Sequence, residues 1–296
     1  MAATLCILAS SSKGNATAIA FDDTGRFILV DAGISPRRVR EGLVRASAIS
    51  PFQRLRAIFL THLDTDHWAA SWAAHLRRHP IPVIVRGEHA DDAVAAGVPV
   101  GCVRVAGDEF RLGDSVIVRT VAVPHDDEGS TAYRFDGPDA SIGHATDLGC
   151  VDADLVDTFT GIDLLNIESN YDEAMQRRSS RPEFLKQRIM GHQGHLSNDQ
   201  CAHAVETLAR GGSIAHVTLL HLSQECNTPQ LAHDALARRA GSLVPSVAVA
   251  PPSTPTAPIR FSRNDSCNDS RKDSCNDAHD AHDAALLTAF SGKNGE

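Results

Sequence analysis

The sequence has 296 residues, of which 42% are hydrophobic and 22% charged, and a formal net charge of -9. This length suits one large domain or two small ones, and the acidity excludes a broadly basic surface for nucleic acid while leaving a local basic groove open. No apolar run approaches the ~18 residues of a membrane-spanning helix, so we expect no membrane partner.

The first half of the chain alternates short apolar runs with turn residues. The stretch TAIAFDDTGRFILVDAG predicts two strands joined at Asp-Thr-Gly, and SPRRVREGLVRA predicts a helix with a Ser-Pro start. A buried strand (AIFLTH), a helix (WAASWAAHLRRH) and another strand (PVIVRG) follow. This order indicates a β-α-β arrangement.

From Asp108 the predicted strands follow one another directly, as EFRLG, SVIVRTVAVPH, STAYRFDG, ASIGHATDLG and IDLLNIES. Helices are predicted at EAMQRR, RPEFLKQRIMG and SNDQCAHAVETLARG, then a strand at IAHVTLLHLS and a helix at PQLAHDALARRAG. Two half-sheets with helices outside would give a four-layer αββα sandwich, and one open α/β sheet fits the same order. Periodicity alone does not separate the two.

The composition changes after Pro245. Four prolines lie within residues 251–258, and DSCNDS at 265 recurs as DSCNDA at 273. Polar, repetitive sequence of this kind cannot bury enough apolar surface to order itself. We therefore predict one folded domain over residues 1–245, and a Pro-rich linker with a low-complexity, disordered tail over residues 246–296.

The seven cysteines include no Cys-x-x-Cys pair, which is typical of reduced thiols. The apolar N-terminal stretch AATLCILA has no preceding basic residue, so it does not resemble a signal peptide. We expect a cytoplasmic protein.

The stretch FLTHLDTDHWAA places His62, Asp64, Asp66 and His67 directly after a buried strand. A polar loop or the acidic start of a helix would also account for aspartates here. Side chains at the carboxyl end of a strand point into a crevice, however, and four such groups are costly to pack together without a cation. A divalent metal is the simplest candidate.

Three further metal-type ligands follow apolar strands in the same way, namely His125, Asp147 and His221. Any one of them alone is more often a polar loop residue or a core histidine. The repetition of the same event at four strand ends favours a metal site.

The ordered set THLDTDH, PH, TDLG and a late strand-end histidine resembles the metallo-β-lactamase-fold hydrolases over about residues 5–245. Within that superfamily the segments SSSKGNAT, VDAG, ATDLGCV, IESNYDEAM, FLKQRI, GHLSN and LLHLSQECNTP resemble the WalJ-type (YycJ-type) branch. The resemblance implies an αββα sandwich with two metals at its edge, which makes residues 1–245 a hydrolase domain.

Carried over residue by residue, the resemblance implies that the first metal is held by His62, Asp64 and His125, the second by Asp66, His67 and His221, and that Asp147 bridges both. The superfamily usually has a histidine where this chain has Asp64. An oxygen ligand shifts the first site toward Mn²⁺ or Fe²⁺ and away from strict Zn²⁺. The expected cofactors are two divalent ions, Zn²⁺, Mn²⁺ or Fe²⁺.

Three carboxylates and one bridging hydroxide would offset the charge of two divalent ions, and that hydroxide would be the nucleophile. The resemblance implies that Asp66 orients it. We expect His195, in GHLSN, to contact a phosphate oxygen or the leaving group, and a helix cap formed with Ser197 is the structural alternative. These two residues, Asp66 and His195, are the predicted catalytic residues.

Substrate contacts are predicted in two segments. The basic run from Arg177 to Arg188 has only Glu183 as an opposing charge in sequence, which suits phosphate contacts, although a solvated helix face is the commoner reason for such a run. The turn SSSKGNAT presents backbone N–H groups to an anion or is simply a tight turn. The candidate substrate residues are Lys13, Asn15, Arg181, Lys186, Arg188 and His192.

The resemblance implies a 5′ to 3′ exonuclease acting on DNA, with a role in DNA repair, so DNA or another phosphodiester is the expected partner. Tyr171 stands where the branch has histidine. A small-molecule hydrolase of thioesters, lactones or cyclic phosphodiesters fits the same centre, because loops choose the substrate. A non-catalytic metal-binding protein, with one site disabled by Asp64, is the third hypothesis.

Overall fold

Two seven-stranded sheets pack face to face in the protein, with helices on their outer faces. The computed structural model describes residues 2–21, 24–46 and 52–263. Its sheets have the orders β14-β1-β2-β3-β4-β5-β6 and β13-β12-β11-β10-β9-β8-β7. The predicted αββα sandwich is therefore confirmed, and the single open sheet is excluded.

The first sheet is antiparallel from β14 to β3 and parallel from β3 to β6. Its strands are β1 (Ala3–Ala9), β2 (Ala16–Ala20), β3 (Phe27–Val30), β4 (Leu55–Phe59), β5 (Val83–Arg86), β6 (Val103–Ala106) and β14 (Ile259–Phe261). Three helices accompany it, α1 (Pro36–Ala46), α2 (Ser71–Arg78) and α3 (Ala90–Ala95).

The second sheet repeats this pattern, antiparallel from β7 to β10 and parallel from β10 to β13. Its strands are β7 (Glu109–Leu112), β8 (Val116–Val123), β9 (Ser130–Asp136), β10 (Ser141–Ala145), β11 (Leu164–Glu168), β12 (His216–Leu220) and β13 (Val247–Val249). The helices of this half are α4 (Ala153–Phe159), α5 (Glu173–Arg178), α6 (Glu183–Met190), α7 (Asn198–Gly211) and α8 (Pro229–Ala240).

Three apolar clusters form the core, one for each interface between layers. The middle cluster contains Phe59 of the first sheet and Tyr133 and Phe135 of the second, whose rings meet edge to face. The outer clusters include Trp72 of α2 on the first sheet and Phe159 of α4 on the second. Strands buried on both faces explain why several read as continuous apolar runs rather than as alternating patterns.

Several elements are present that the sequence pattern did not predict. They are β1, α3, β6, α4, β13 and β14. Strand β1 is the apolar stretch considered above as a signal peptide. Strands β13 and β14 lie beyond the predicted domain boundary at residue 245, and each pairs at the edge of a sheet through three residue pairs. A strand of three residues is too short to show a hydrophobic pattern in the sequence. Hydrogen bonds to the neighbouring strand hold it in the sheet.

The DSCND repeats lie outside the described residues. Within the described ranges, no helix combines the length and the apolar character that crossing a membrane requires.

Candidate metal centre

The predicted ligands converge at one edge of the sandwich. The HLDTDH loop follows β4, whereas His125, Asp147 and His221 follow β8, β10 and β12. Among the described residues, donor atoms lie within 4.8 Å of one another in four overlapping sets, which are His62 with Asp64 and His125, Asp66 with His67 and His221, His62 with His67 and Asp147, and Asp147 with Glu168, His195 and His221. The first two sets are the two ligand groups expected from the resemblance, and Asp147 adjoins both.

Each histidine of the HLDTDH loop is anchored by Nδ1 and turns Nε2 toward the carboxylates. The His62 Nδ1 atom lies 3.0 Å from the Thr61 hydroxyl. The His67 Nδ1 atom lies 2.8 Å from the Asp31 carboxylate, while its Nε2 atom lies 2.9 Å from Oδ2 of Asp147. A hydrogen bond to one ring nitrogen fixes the orientation of the other nitrogen, as in metal-ligating histidines generally.

The two histidines of the second sheet follow the same rule. The His125 Nδ1 atom donates to the Gly194 carbonyl at 2.9 Å, and its Nε2 atom lies 3.8 Å from Asp147. The His221 Nδ1 atom lies 3.2 Å from Glu168, and its Nε2 atom lies 3.3 Å from Asp66. Four imidazoles therefore present the same nitrogen to one small volume.

Two of the converging residues have a left-handed backbone, with φ of 55° at Asp147 and 54° at His221. Asp31, which anchors His67, has φ of 62°. Positive φ is uncommon for residues other than glycine, and such conformations concentrate at functional sites. The backbone turns sharply at these strand ends, so that each side chain points into the centre.

Mutual electrostatics keep the centre ionised. Burial opposes ionisation of Asp66 and Asp147, but the neighbouring histidines lower the pKa of both carboxyl groups. Burial likewise opposes protonation of His221, but Asp147, Asp66 and Glu168 raise the pKa of that imidazole to about 10. Positive charge on the histidines therefore balances the buried carboxylates, and a bound cation would supply the same positive charge.

The donor set fits divalent metal ions. Anionic oxygens and correctly oriented imidazole nitrogens are the ligands that Zn²⁺, Mn²⁺ and Fe²⁺ take in proteins. The site combines the carboxylates of Asp64, Asp66 and Asp147 with four imidazoles, and the donor atoms within each set lie within 4.8 Å of one another. Asp64 is the most exposed of the candidate ligands, with 61% of its side chain accessible, so the first set opens to solvent and the second is enclosed.

His195 lies at this centre, as predicted. Its Nδ1 atom lies 2.7 Å from Glu168 and 3.5 Å from Asp147. The helix cap of the structural alternative is also present, and it is formed by Ser197, which makes a capping box with Gln200 at the start of α7 without His195. The ring of His195 is therefore free of any capping role.

Glu168 is a residue that the sequence analysis missed. Its side chain is fully buried, it accepts from the Leu148 backbone N–H at 2.8 Å, and it contacts both His195 and His221. Burial opposes its ionisation, but the charge and hydrogen bond of His195 lower the pKa of Glu168 to about 2. One buried carboxylate thus holds two imidazoles of the centre.

Asp31 and Asn170 were missed as well. Asp31 accepts from the backbone N–H and hydroxyl of Thr61, and Asn170 donates to the His221 carbonyl at 2.8 Å. The signal that identified the ligands would have found Asp31 and Glu168, because each ends an apolar strand, FILVD and LLNIE.

An open cavity of about 520 Å³ lies over the centre. Helix α6 forms one side of it through Leu185, Arg188 and Ile189, and Arg181 lies just before the helix. The structure corrects the charge balance read from the sequence, since Arg181 pairs with Glu225 at 3.1 Å and Arg188 with Asp126 at 2.5 Å. These acids are distant in sequence, so the basic run alone could not reveal them.

Asn15 lies beside the metal loop rather than in the cavity. Its amide donates to Asp66 at 3.1 Å and approaches Nε2 of His67 at 2.9 Å. The turn packs so closely that a Cβ atom on Gly33 would lie 1.6 Å from the Asp66 carbonyl oxygen, which explains the glycine in VDAG. The neighbouring Lys13 is exposed.

Lys13 does not line the cavity over the centre, and two further predicted substrate residues lie outside it as well. The Lys186 ammonium donates to the Arg177 carbonyl at 2.8 Å, in a separate hollow with Glu183. His192 lies in an adjoining cavity with Asp127 and Gln187. Neither lines the cavity over the centre.

Comparison with known proteins agrees with this geometry. The family profile of the beta-lactamase superfamily domain matches residues 26–221. The chain is 31% identical to "Exodeoxyribonuclease WalJ" of Streptococcus pneumoniae over 242 residues, 77% of this chain and 84% of that protein. It is 27% identical to "Exodeoxyribonuclease YycJ" of Bacillus anthracis over 230 residues, 76% of this chain and 84% of that protein.

Among solved structures, the metallo-beta-lactamase fold protein YhfI from Bacillus subtilis superposes with a TM-score of 0.61 at 14% identity, covering 86% of this chain and 99% of that one. At this identity the likeness concerns the fold.

Proposed function

We propose that the protein is a dinuclear exonuclease acting on DNA. The basis is that the chain belongs to the beta-lactamase superfamily and is a metal-dependent hydrolase of the metallo-β-lactamase fold. The observation that carries the proposal is the convergence of two ligand sets on Asp147. The proposed ligands are His62, Asp64 and His125 for one ion, Asp66, His67 and His221 for the other, and Asp147 for both.

Two bound divalent ions would supply an activated water nucleophile at neutral pH and would stabilise the negative charge that develops on the phosphate. The chain itself positions the reacting groups. Asp66 is held ionised by His67 and His221 and by a hydrogen bond from Asn15, so its second role would be to orient the attacking water.

We assign His195 to the leaving group. Its Nδ1 atom is engaged by Glu168, so Nε2 is the nitrogen available to a substrate in the cavity that His195 lines. Burial opposes protonation of this ring, but Glu168 raises its pKa, which favours the imidazolium that a general acid requires. His195 would donate that proton to the departing oxygen.

The nucleic-acid substrate is supported by the names of the two curated relatives, both exodeoxyribonucleases. The 5′ to 3′ direction rests on the resemblance to the WalJ-type branch. Arg181 and Arg188, which border the cavity, are the proposed contacts for phosphates next to the one cleaved. Asn15 is reassigned from substrate contact to support of the metal loop.

The test is metal content per chain together with degradation of duplex DNA labelled at its 5′ or its 3′ end, in added Mn²⁺. We expect two metals per chain and early release of the 5′ label. Asp147→Ala should lose metal and activity, while the matched exposed variant Asp114→Ala, in the β7–β8 turn, should keep both. Two metals with intact DNA under every added ion would refute the exonuclease.

A small phosphodiester or ester is the second candidate, and one observation favours it. Because Glu225 and Asp126 pair with Arg181 and Arg188, the rim of the cavity has little free positive charge. Turnover of bis-p-nitrophenyl phosphate in the presence of DNA separates the two substrates. DNA should inhibit this turnover competitively if it is the substrate, and should leave it unchanged if the substrate is small.

A further inference from the structure

A group of exposed arginines covers the outer helices of the first sheet, away from the centre described above. They belong to α1, to the turn that precedes β4, and to the last turn of α2. We call them the arginine surface, and they are Arg38, Arg40, Arg45, Arg54, Arg77 and Arg78, each exposed to solvent.

No ion pair joins these arginines to a carboxylate in the described part of the chain, whereas several arginines of the other half have one. Among the described residues, the ion pair formed on α1 joins Arg37 to Glu41, and no carboxylate of the described chain lies within 4.0 Å of the arginine surface. In contrast, Arg119, Arg210 and Arg239 on the other half each pair with an acid. The charge of Glu41 also reaches Arg38 and Arg45, so one carboxylate faces the arginine surface, which keeps a large local excess of positive charge in a chain with a net charge of -9.

The two helices form one continuous surface rather than two separate charged faces. The Arg40 guanidinium lies 5.3 Å from the ring centroid of Phe52, and Phe52 packs against Trp72 and His75 of α2. Burial lowers the pKa of His75, and the charges of His79, Arg40 and Arg78 lower it further. Arginines of both helices therefore act on the same small region.

The arginine surface extends from the metal edge of the first sheet toward its opposite edge. Helix α1 begins three residues after Gly33, which touches the metal loop, and α2 begins four residues after His67. Both helices therefore start at the metal edge and end at the far side of the sheet. An 11-residue helix is about 16 Å long, and one strand of B-DNA places about five phosphates along that length.

We propose that the arginine surface binds the phosphate backbone of duplex DNA outside the metal centre and holds the part of the substrate that is not being cleaved. The identity of the ligand rests on the proposed function, whereas the position of the surface does not. Contacts to phosphate are independent of base sequence, which is what an exonuclease that degrades DNA of any sequence needs. Such contacts also give a measurable salt dependence, because each one releases condensed counterions.

The test compares two pairs of adjacent arginines, each in the last turn of its helix. The variant R77Q/R78Q changes the last turn of α2, and the control R238Q/R239Q changes the last turn of α8. Both remove the same charge from a helix carboxyl end, but Arg238 and Arg239 already have acidic partners, Asp199 and Glu206. Binding of full-length, metal-loaded protein to a phosphorothioate duplex, which resists cleavage, is measured by fluorescence anisotropy over a range of salt concentrations.

R77Q/R78Q should bind the duplex about tenfold more weakly at moderate salt, and the slope of log affinity against log salt should fall by about 2. The control should change neither quantity. A second variant, R45Q/R54Q, should reproduce the effect, and thermal melting checks that all variants are folded. Equal effects in both helices, or no effect in α2 and in R45Q/R54Q, would overturn the proposal.

The outcomes distinguish this inference from the proposed function. Wild-type protein that cleaves DNA while the α2 variant binds normally would leave the exonuclease standing and refute the arginine surface. Wild-type protein that binds duplex through Arg77 and Arg78 without cleaving any DNA would support the arginine surface and refute the exonuclease. Wild-type protein that binds no duplex would refute both.

Discussion

At the scale of single residues, the centre depends on groups that touch the ligands rather than on the ligands alone. Glu168 holds the Nδ1 atoms of His195 and His221, and Asp31 holds that of His67. A buried carboxylate is stable only when it is well paired. The pairing of these two acids with Nδ1 atoms therefore also fixes the orientation of the imidazole rings. Their removal should disturb the centre while leaving every proposed ligand in place.

Glu168→Gln should lower metal affinity and hydrolysis about 10- to 100-fold, the range seen for such supporting residues. The amide is similar in size, but it removes the charge that favours protonated His195. Metal titration and steady-state kinetics measure the effect, and Glu109→Gln, an exposed acid on β7, is the control. A shift in the pH dependence of turnover, with an unchanged melting temperature, would distinguish a positioning role from loss of folding. Wild-type metal affinity and rate would contradict this role.

His144 on β10 is buried between the sheets and predicts a loss of stability in acid. Burial lowers the pKa of His144 to about 4, whereas a histidine in an unfolded chain has a pKa of about 6.5. The unfolded state therefore takes up the proton first as pH falls. Stability contributed by neutral His144 is complete above about pH 6.5 and is lost progressively toward about pH 4.

The free energy of unfolding of wild-type protein should fall when the pH is lowered from about 7 to about 4.5. In His144→Gln this fall should be smaller by about 2 kcal/mol, because the variant lacks the histidine that must be protonated. Urea denaturation at both pH values measures this difference. His203→Gln, at an exposed histidine of α7, should show the wild-type loss. Equal losses in both variants would show that other groups cause the acid sensitivity.

At the scale of elements, α6 is held over the centre from both ends. None of its residues is buried, and Phe184 is 73% exposed. The ion pairs of Arg181 with Glu225 and of Arg188 with Asp126 tie this segment to the loops after β12 and β8. A helix attached mainly by exposed ion pairs is weakly held, so its arginines can exchange carboxylate partners for phosphate.

Asp126→Asn combined with Glu225→Gln should therefore strengthen DNA binding severalfold and steepen its salt dependence by up to about 2 in slope. Asparagine tolerates the left-handed backbone of Asp126, so the loop should keep its shape. Anisotropy with the phosphorothioate duplex measures the change. Glu173→Gln, which frees Arg177 on the neighbouring helix, is the control, and unchanged or weaker binding in the double variant would argue against phosphate contacts at α6.

At the scale of the whole molecule, the metal centre joins the two sheets. The HLDTDH loop belongs to the first sheet, and His125, Asp147 and His221 belong to the second. Direct bonds across the same edge include Tyr133 to the Leu60 carbonyl at 2.5 Å and the Thr131 N–H to the Thr61 carbonyl at 2.9 Å. Ions bound here would bridge both halves of the sandwich.

Removal of metal should thus lower the melting temperature of the whole domain. Ligand at about 100 times its dissociation constant stabilises a folded protein by about 2.7 kcal/mol, which corresponds to about 5 to 10 °C for a domain of this size. Calorimetry before and after chelation measures the shift. Asp147→Ala should lose the response to metal, and Asp114→Ala should keep it. An unchanged melting temperature on chelation would mean that the ions do not join the halves.

The local sequence determined the candidate ligands of the centre and the elements that precede them. A metal-type side chain directly after an apolar strand is a local pattern, because the strand alone sets where its carboxyl end lies. His62, His125, Asp147 and His221 were found in this way, and the resemblance to a family supplied their grouping. The β-α-β order of the first half and the main helices of the second followed from local spacing for the same reason.

Tertiary structure decided the rest. Only the packing of the two sheets distinguishes a sandwich from one open sheet, and only strand pairing places β13 and β14 beyond residue 245 at the sheet edges. The acids that neutralise Arg181 and Arg188 lie 44 and 62 residues away in sequence. Glu168 meets His195 and His221 across 27 and 53 residues. Contacts between groups so far apart leave no periodic trace, because the folded backbone, not the local spacing, brings them within reach.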